Sequence, residues 1–148
     1  SVSPRAPWQG AILRLAQADR FRQLRQFDEA QSAIQLVLGD FPAYGRGLHV
    51  AGTIHLDSGN PELAVHKWGQ LLKIDRKRKG LAEWLVRASV DMRREPNERF
   101  FHVLELNHDH SDEELKKAYR RMSRLVHPDR AGGSTEAFEA VAAAYKTL

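Results

Sequence analysis

Ser111-Asp112-Glu113-Glu114-Leu115-Lys116-Lys117-Ala118-Tyr119-Arg120-Arg121-Met122-Ser123-Arg124-Leu125-Val126-His127-Pro128-Asp129-Arg130 reads as one helix with a start, two unlike faces and a stop. Ser111 followed three residues later by Glu114 fits a capping box, in which the hydroxyl accepts the N–H of the third helical residue and the carboxylate reaches back. From there Leu115, Ala118, Tyr119, Met122 and Val126 recur at helical spacing on one side. Lys117, Arg120, Arg121 and Arg124 fall towards the other. One face is built to pack and the other is cationic. Pro128 ends the helix, because its ring removes a backbone donor and blocks continuation.

The flanking segments supply a partner for the apolar face. A loop bearing Gly132 and Gly133 turns the chain into a last helix, where Phe138, Val141, Ala142, Tyr145 and Leu148 form an answering stripe. Upstream, Phe100, Phe101, Val103, Leu104 and Leu106 make a short apolar helix followed by a polar loop. Pro96 interrupts the helical stretch before it and pushes Glu95 away from helical geometry. A domain boundary is therefore expected there, giving residues 1–95 and 96–148. The junction of Arg94, Glu95, Pro96 and Asn97 is too short for a flexible tether. The pattern stops at Leu148 inside a helix, as in a domain truncated after its third helix.

A chain of 148 residues suits one ordinary domain or two small ones. Its 42% hydrophobic and 28% charged content excludes wholesale disorder. With no cysteine, disulfide frameworks and thiolate zinc sites are excluded too. No apolar run of about 18 residues is present to span a bilayer, and the N-terminus lacks the order of a secretory signal. The expectation is a soluble chain with no membrane partner, cytoplasmic on first reading, with an organelle lumen left open. The net charge of +4 favours acidic partners. The basic excess lies before residue 96, densest at Arg76-Lys77-Arg78-Lys79.

The first half carries an internal repeat. Gln26-Phe27-Asp28-Glu29-Ala30 aligns with Asn60-Pro61-Glu62-Leu63-Ala64 at a 34-residue offset. The register extends to Ala18 with Gly52, Phe21 with His55, Arg25 with Gly59, Ile34 with Trp68 and Val37 with Leu71. This spacing and these packing positions resemble two tetratricopeptide repeats. Four helices are expected at 11–24, 27–38, 45–57 and 61–74, with small residues letting paired helices approach. Leu81, Trp84, Leu85, Ala88 and Met92 make a fifth stripe, assigned as a helix capping the open end. The resemblance implies a concave partner-binding face including Ile12, Leu15, Asp19 and Gln23 from one unit with His49, Thr53 and Leu56 from the next. Members that clamp a chaperone's acidic tail use lysine and asparagine where this chain has Leu15, Asp19 and Val50. An unfolded client segment or a dedicated adaptor protein is therefore the expected occupant, with a purely structural role for the unit as the alternative.

The second half resembles a J-domain on stronger grounds than a bare His-Pro-Asp tripeptide. Lys116-Lys117-Ala118-Tyr119-Arg120-Arg121, then Val126-His127-Pro128-Asp129-Arg130, then Phe138 with Ala144-Tyr145, stand at the family's spacing between two matching apolar stripes. The resemblance implies docking on the ATPase domain of a 70-kDa heat-shock chaperone and stimulation of its ATPase. The matching contact set is Lys116, Tyr119, Arg120, Arg121, His127, Pro128 and Asp129, with Lys117 and Arg124 on the same cationic side. Cations on one face steer encounter with an acidic patch, Pro128 stiffens the bend, and His127 near a helix C-terminus is suited to act as donor or cation. Two positions depart from the family: Glu105 stands where many members have glycine, and Ala131 where asparagine is frequent. Neither is expected to touch the contact set. The fold expected overall is all-α, a tetratricopeptide-like hairpin solenoid with a capping helix followed by a J-domain helical hairpin.

Other chemistry finds little footing. His108 and His110 read as a polar loop without the further ligands a metal needs, and His49, His55 and His66 are scattered along helices. No nucleophile motif, phosphate-binding glycine loop or paired carboxylates stand out, so no enzyme activity, cofactor or metal is expected. The rival from another class is nucleic-acid binding through Arg76 to Lys79 and the cationic helix, supported by charge alone. A scaffold subunit with an inactive J-like module is a second rival, opposed by the intact His127-Pro128-Asp129.

Overall fold

A computed structural model describes residues 7–92, 96–107, 109–130 and 132–148. Among these the regular structure is helical, with no strand: α1 (Pro7–Gln23), α2 (Phe27–Asp40), α3 (Gly45–Asp57), α4 (Pro61–Ile74), α5 (Leu81–Val90), α6 (Pro96–Leu104), α7 (Asp112–Val126) and α8 (Thr135–Thr147). Arg94, Glu95, His108 and Ala131, all invoked above, lie outside the described residues. The chain divides into two units, Ser1–Ile74 and Asp75–Leu148.

In the first unit the 34-residue offset is written into the backbone as well as the side chains. Arg25 and Gly59 both take left-handed φ, 60° and 87°. Around them the same bonds recur one period apart. Gln26 N–H donates to the Phe21 carbonyl at 2.8 Å, and Asn60 N–H donates to that of His55 at 2.8 Å. This six-to-one closure is how a helix ending in a left-handed residue satisfies its last carbonyls. Glycine takes that conformation freely at position 59, whereas Arg25 adopts it at a cost of about 1 kcal/mol.

Aligned positions are also aligned in burial. Ala18, Ala30 and Ala64 are fully buried, Gly52 is buried, and the large partners Ile34, Val37, Trp68 and Leu71 are at most 3% exposed. Ala11, Leu15, Ala18, Ala30, Ile34, Val37, Ala51 and Ile54 form one core shared by α1, α2 and α3. Arg22 links α1 to the end of α3, bonding Asp57 at 2.9 Å and Asp19 at 2.9 Å. The contact between α3 and α4 is tightest at Gly52: a Cβ there would fall 2.2 Å from Trp68 Nε1. That indole donates to the His49 carbonyl at 3.2 Å.

The second unit starts earlier than expected. The sequence reading placed α5 with residues 1–95 as a cap, but α5 touches α6, α7 and α8 within the unit that begins at Asp75. Ala82 and Val86 of α5 join Val103, Leu104, Leu115, Ala118, Met122, Val126, Ala137, Val141 and Ala144 in a single core. Of the expected stripe Leu81, Trp84, Leu85, Ala88 and Met92, four members are buried, whereas Trp84 is 37% exposed. Apolar side chains around more than half of the helix leave α5 little solvent face, and Glu83, 8% exposed, is held at 2.8 Å by Arg87. Periodicity identified one apolar side and could not say which neighbours cover the other. On α8 the innermost residues are Ala137, Val141 and Ala144, with Phe138, Tyr145 and Leu148 at the edges. Small residues allow α8 to touch three helices at once.

Gly52→Ala is expected to cost about 1–3 kcal/mol, as overpacking of a filled contact does. Denaturant unfolding of the single variant and of Gly52→Ala/Trp68→Leu checks this. The second change should restore part of the loss through a non-additive coupling, and simple additivity would contradict the assigned contact.

Candidate functional site

The buried side of α7 determines where its charges go. Ser111 Oγ accepts the Glu114 N–H at 3.2 Å and starts the helix. Leu115, Ala118, Met122 and Val126 are buried. At about 100° of turn per residue, Lys116, Lys117, Arg120 and Arg124 then share an arc facing away from the core, and all four are exposed. Tyr119 sits at the edge, half-buried and stacked on Tyr145 with ring centroids 4.3 Å apart.

Arg121 departs from this arrangement. It is half-buried, donates to the Leu104 carbonyl at 3.4 Å, and brings Nε within 3.4 Å of Glu105 Oε2. The expectation that Glu105 stays clear of the contact set is therefore overturned. Glu105 has φ 56°, and the bond from Leu106 N–H to the Phe101 carbonyl closes α6 around it as around Arg25 and Gly59. A non-glycine residue there costs about 1 kcal/mol. Its carboxylate gains two partners in exchange, Arg121 and, at 3.3 Å, Arg76.

After Val126 the chain makes a braced bend. His127 is the C-cap, with φ −56° and ψ 136°. Its carbonyl accepts the Arg130 N–H at 2.9 Å, the Arg130 carbonyl accepts the Gly133 N–H at 2.9 Å, and the Val126 carbonyl accepts the Ser134 N–H at 3.0 Å. Gly133 has no room for a side chain, since a Cβ would meet the His127 carbonyl oxygen at 2.0 Å. Ser134 then caps α8, its Oγ accepting the Ala137 N–H at 3.0 Å. Neither role was assigned from sequence, although serine just ahead of an apolar stripe is a legible cap signal.

His127, Pro128 and Asp129 are all exposed on this bend. The His127 ring packs edge-on against Phe138 at 5.3 Å. Its Nδ1 accepts the Asp129 N–H at 3.1 Å. A backbone N–H can only donate, so Nδ1 carries the lone pair and the proton is on Nε2. The Asp129 carboxylate, 94% exposed, is left as an outward acceptor. A shallow cleft of about 440 Å³ opens beside the bend, lined by Ser123, Arg124, His127, Asp129, Arg130 and Phe138.

The candidates in the first unit converge less well. Ile12 is exposed, but Leu15 is 6% exposed and belongs to the core, so it does not line an open face. Asp19 is engaged by Arg22 and by Gln23, whose side-chain amide donates to it at 3.2 Å. Thr53 donates to the His49 carbonyl of its own helix at 3.0 Å, and Leu56 is half-buried. His110 bonds the Asn107 carbonyl at 3.0 Å and packs on Phe101. Among the described residues no three His, Cys, Asp or Glu side chains are grouped to hold a metal. No helix among them is long and apolar enough to cross a membrane.

Gly133→Ala should push the bend off its brace. The expected result is a loss of about 1–3 kcal/mol in denaturant unfolding, with backbone amide resonances shifted at His127 and Arg130. Native stability and unshifted resonances would contradict the close approach.

Comparison with known proteins agrees with this geometry. The family model described as DnaJ domain matches residues 99–148. The chain is 28% identical over 141 residues to DnaJ homolog subfamily C member 7 homolog of Schizosaccharomyces pombe, a match covering 93% of this chain and 30% of that protein. It is 47% identical over 51 residues to human DnaJ homolog subfamily B member 12, covering 33% of this chain and 14% of the other. Chaperone protein DnaJ 1 of Cutibacterium acnes is 48% identical over 50 residues, covering 33% and 13%. The chain thus spans less than a third of the length of these relatives. The cationic helix, the exposed histidine-containing bend and the family match coincide on the same residues, and residues 99–148 are a J-domain.

Proposed function

We propose that this chain is a co-chaperone that docks on the ATPase domain of a 70-kDa heat-shock chaperone and accelerates its ATP hydrolysis, without catalysing a reaction itself. The observation that carries this reading is the exposed His127-Pro128-Asp129 bend, braced from behind by Gly133 and set at the end of a helix whose exposed cations share one arc. Lys116, Lys117, Arg120 and Arg124 would meet an acidic patch and steer encounter. The bend would present a histidine donor, a carboxylate acceptor and a proline-stiffened backbone at fixed positions, so little ordering entropy is lost on docking. Tyr119 and Arg121 would act from the flank of the helix, Arg121 after release from Glu105.

The tetratricopeptide-like unit would hold a client segment or an adaptor protein. Ile12, Asp19, Gln23, His49, Thr53 and Leu56 remain its candidate surface, with Leu15 supporting them from the core. Two hairpins in the register of that repeat support this part of the reading.

ATPase turnover of a DnaK-type chaperone, measured with the native chain and with His127→Gln, tests the proposal. Stimulation by the native chain and its fall by about tenfold or more in the variant, equivalent to about 1.4 kcal/mol or more, are expected. Unfolding of the variant should match the native chain, because His127 is exposed. No stimulation by the native chain, or equal stimulation by both, would remove the proposal.

A further inference from the structure

The basic run Arg76-Lys77-Arg78-Lys79 lies in the second unit, ahead of the stretch matched by the DnaJ family. It is pinned at both ends. At one end Arg76 shares the Glu105 carboxylate with Arg121 of α7, at 3.3 Å and 3.4 Å. At the other, the backbone at Gly80 abuts Gly132 in the loop after the bend: a Cβ on Gly132 would fall 2.3 Å from the Gly80 nitrogen. The run therefore lies between the flank of α7 and the loop that follows Asp129. Arg78 is paired with Asp75 at 3.8 Å. Lys77 and Lys79 are exposed and enter no ion pair among the described residues.

We propose that Lys77 and Lys79, carried on this pinned segment, form a second cationic ledge that contacts the same acidic protein face as α7, so that the docking surface begins at Asp75 and not at the start of the family match. The proposal rests on the co-chaperone reading above. A partner that reaches Arg120 and Arg124 on α7 and Asp129 on the bend passes beside the run, because one end shares Glu105 with Arg121 of α7 and the other abuts Gly132, three residues past Asp129. Two extra positive charges on a fixed ledge strengthen attraction to an acidic face and are weakened by salt. An acidic protein is favoured over nucleic acid because the run is tied to the rim of the bend instead of forming a separate basic patch.

The test uses the full chain, a DnaK-type chaperone and three forms: native, Lys77→Ser/Lys79→Ser, and Arg14→Ser/Arg20→Ser. The third removes two exposed charges from α1 and so matches the second in net charge. The concentration giving half-maximal ATPase stimulation is read across a salt series. For the lysine variant it should rise about fivefold at low salt, with an unchanged plateau and a difference that shrinks as salt screens the charges. The arginine variant should titrate like the native chain. The ledge is overturned if the lysine variant also titrates like the native chain, or if both variants weaken equally, which would make net charge the cause. Loss of duplex DNA binding by the lysine variant with chaperone titration intact would also overturn it, and would reassign the run to phosphates. A native chain that gives no stimulation overturns the co-chaperone reading and the ledge together, whereas native stimulation with an unaltered lysine variant removes the ledge alone.

Discussion

One-sided burial of α7 is the constraint on which the rest depends. Leu115, Ala118, Met122 and Val126 are spaced at three and four residues along the helix, and the core of α5, α6 and α8 takes all of them. Burying a leucine, methionine or valine is worth about 1.5–3 kcal/mol each, while an exposed ion pair contributes about 0–1 kcal/mol. The apolar face therefore decides the rotation of the helix, and the cations have no say in it. Lys116, Lys117, Arg120 and Arg124 end on one side because the opposite side is committed.

The same core explains why the bend after α7 is stiff yet exposed. Val126 is fully buried, and its carbonyl accepts the Ser134 N–H, so the chain returns immediately to start α8. Gly133 lets the returning strand of backbone press against the His127 carbonyl. His127, Pro128 and Asp129 are thereby held outward by contacts that involve none of their own functional atoms except His127 Nδ1, which the Asp129 N–H occupies. The arrangement leaves a donor at Nε2 and a carboxylate at Asp129 for a partner. Glu105 adds a counterweight on the flank, holding Arg121 against α6 at the cost of a left-handed backbone.

Much of this was legible in the sequence, for identifiable reasons. A 34-residue repeat with alanine or glycine at paired positions specifies close helix contacts, so α3 and α4 were delimited to the residue and Ala18, Ala30, Gly52 and Ala64 lie where the repeat requires. The α7 pattern was equally readable, because a cap, a stripe and a proline all agree. The misplacement of α5 has a plain cause: a stripe shows that a face is apolar without showing what covers it. Thus α5 falls in the other unit, since Ala82 and Val86 sit beside the stripe, whereas Leu15, put on an open face by the repeat resemblance, lies in the core of α1, α2 and α3. Arg121 and Glu105 are sixteen positions apart, and nothing local announces a pair formed across the end of α6. The close approach at Gly133 is likewise a three-dimensional fact, visible in sequence only as a glycine in a loop.

The most direct test of the account is the affinity of the full chain for a DnaK-type chaperone after reversing the outward charges of α7. Binding of the native chain and of Lys117→Glu/Arg120→Glu can be compared by surface plasmon resonance, with helical content followed by circular dichroism. Because both side chains are exposed, the account expects an unchanged fold and an association rate reduced by about tenfold or more at low salt. An association rate equal to that of the native chain, in a correctly folded variant, would contradict the claim that α7 presents its cations to an acidic partner.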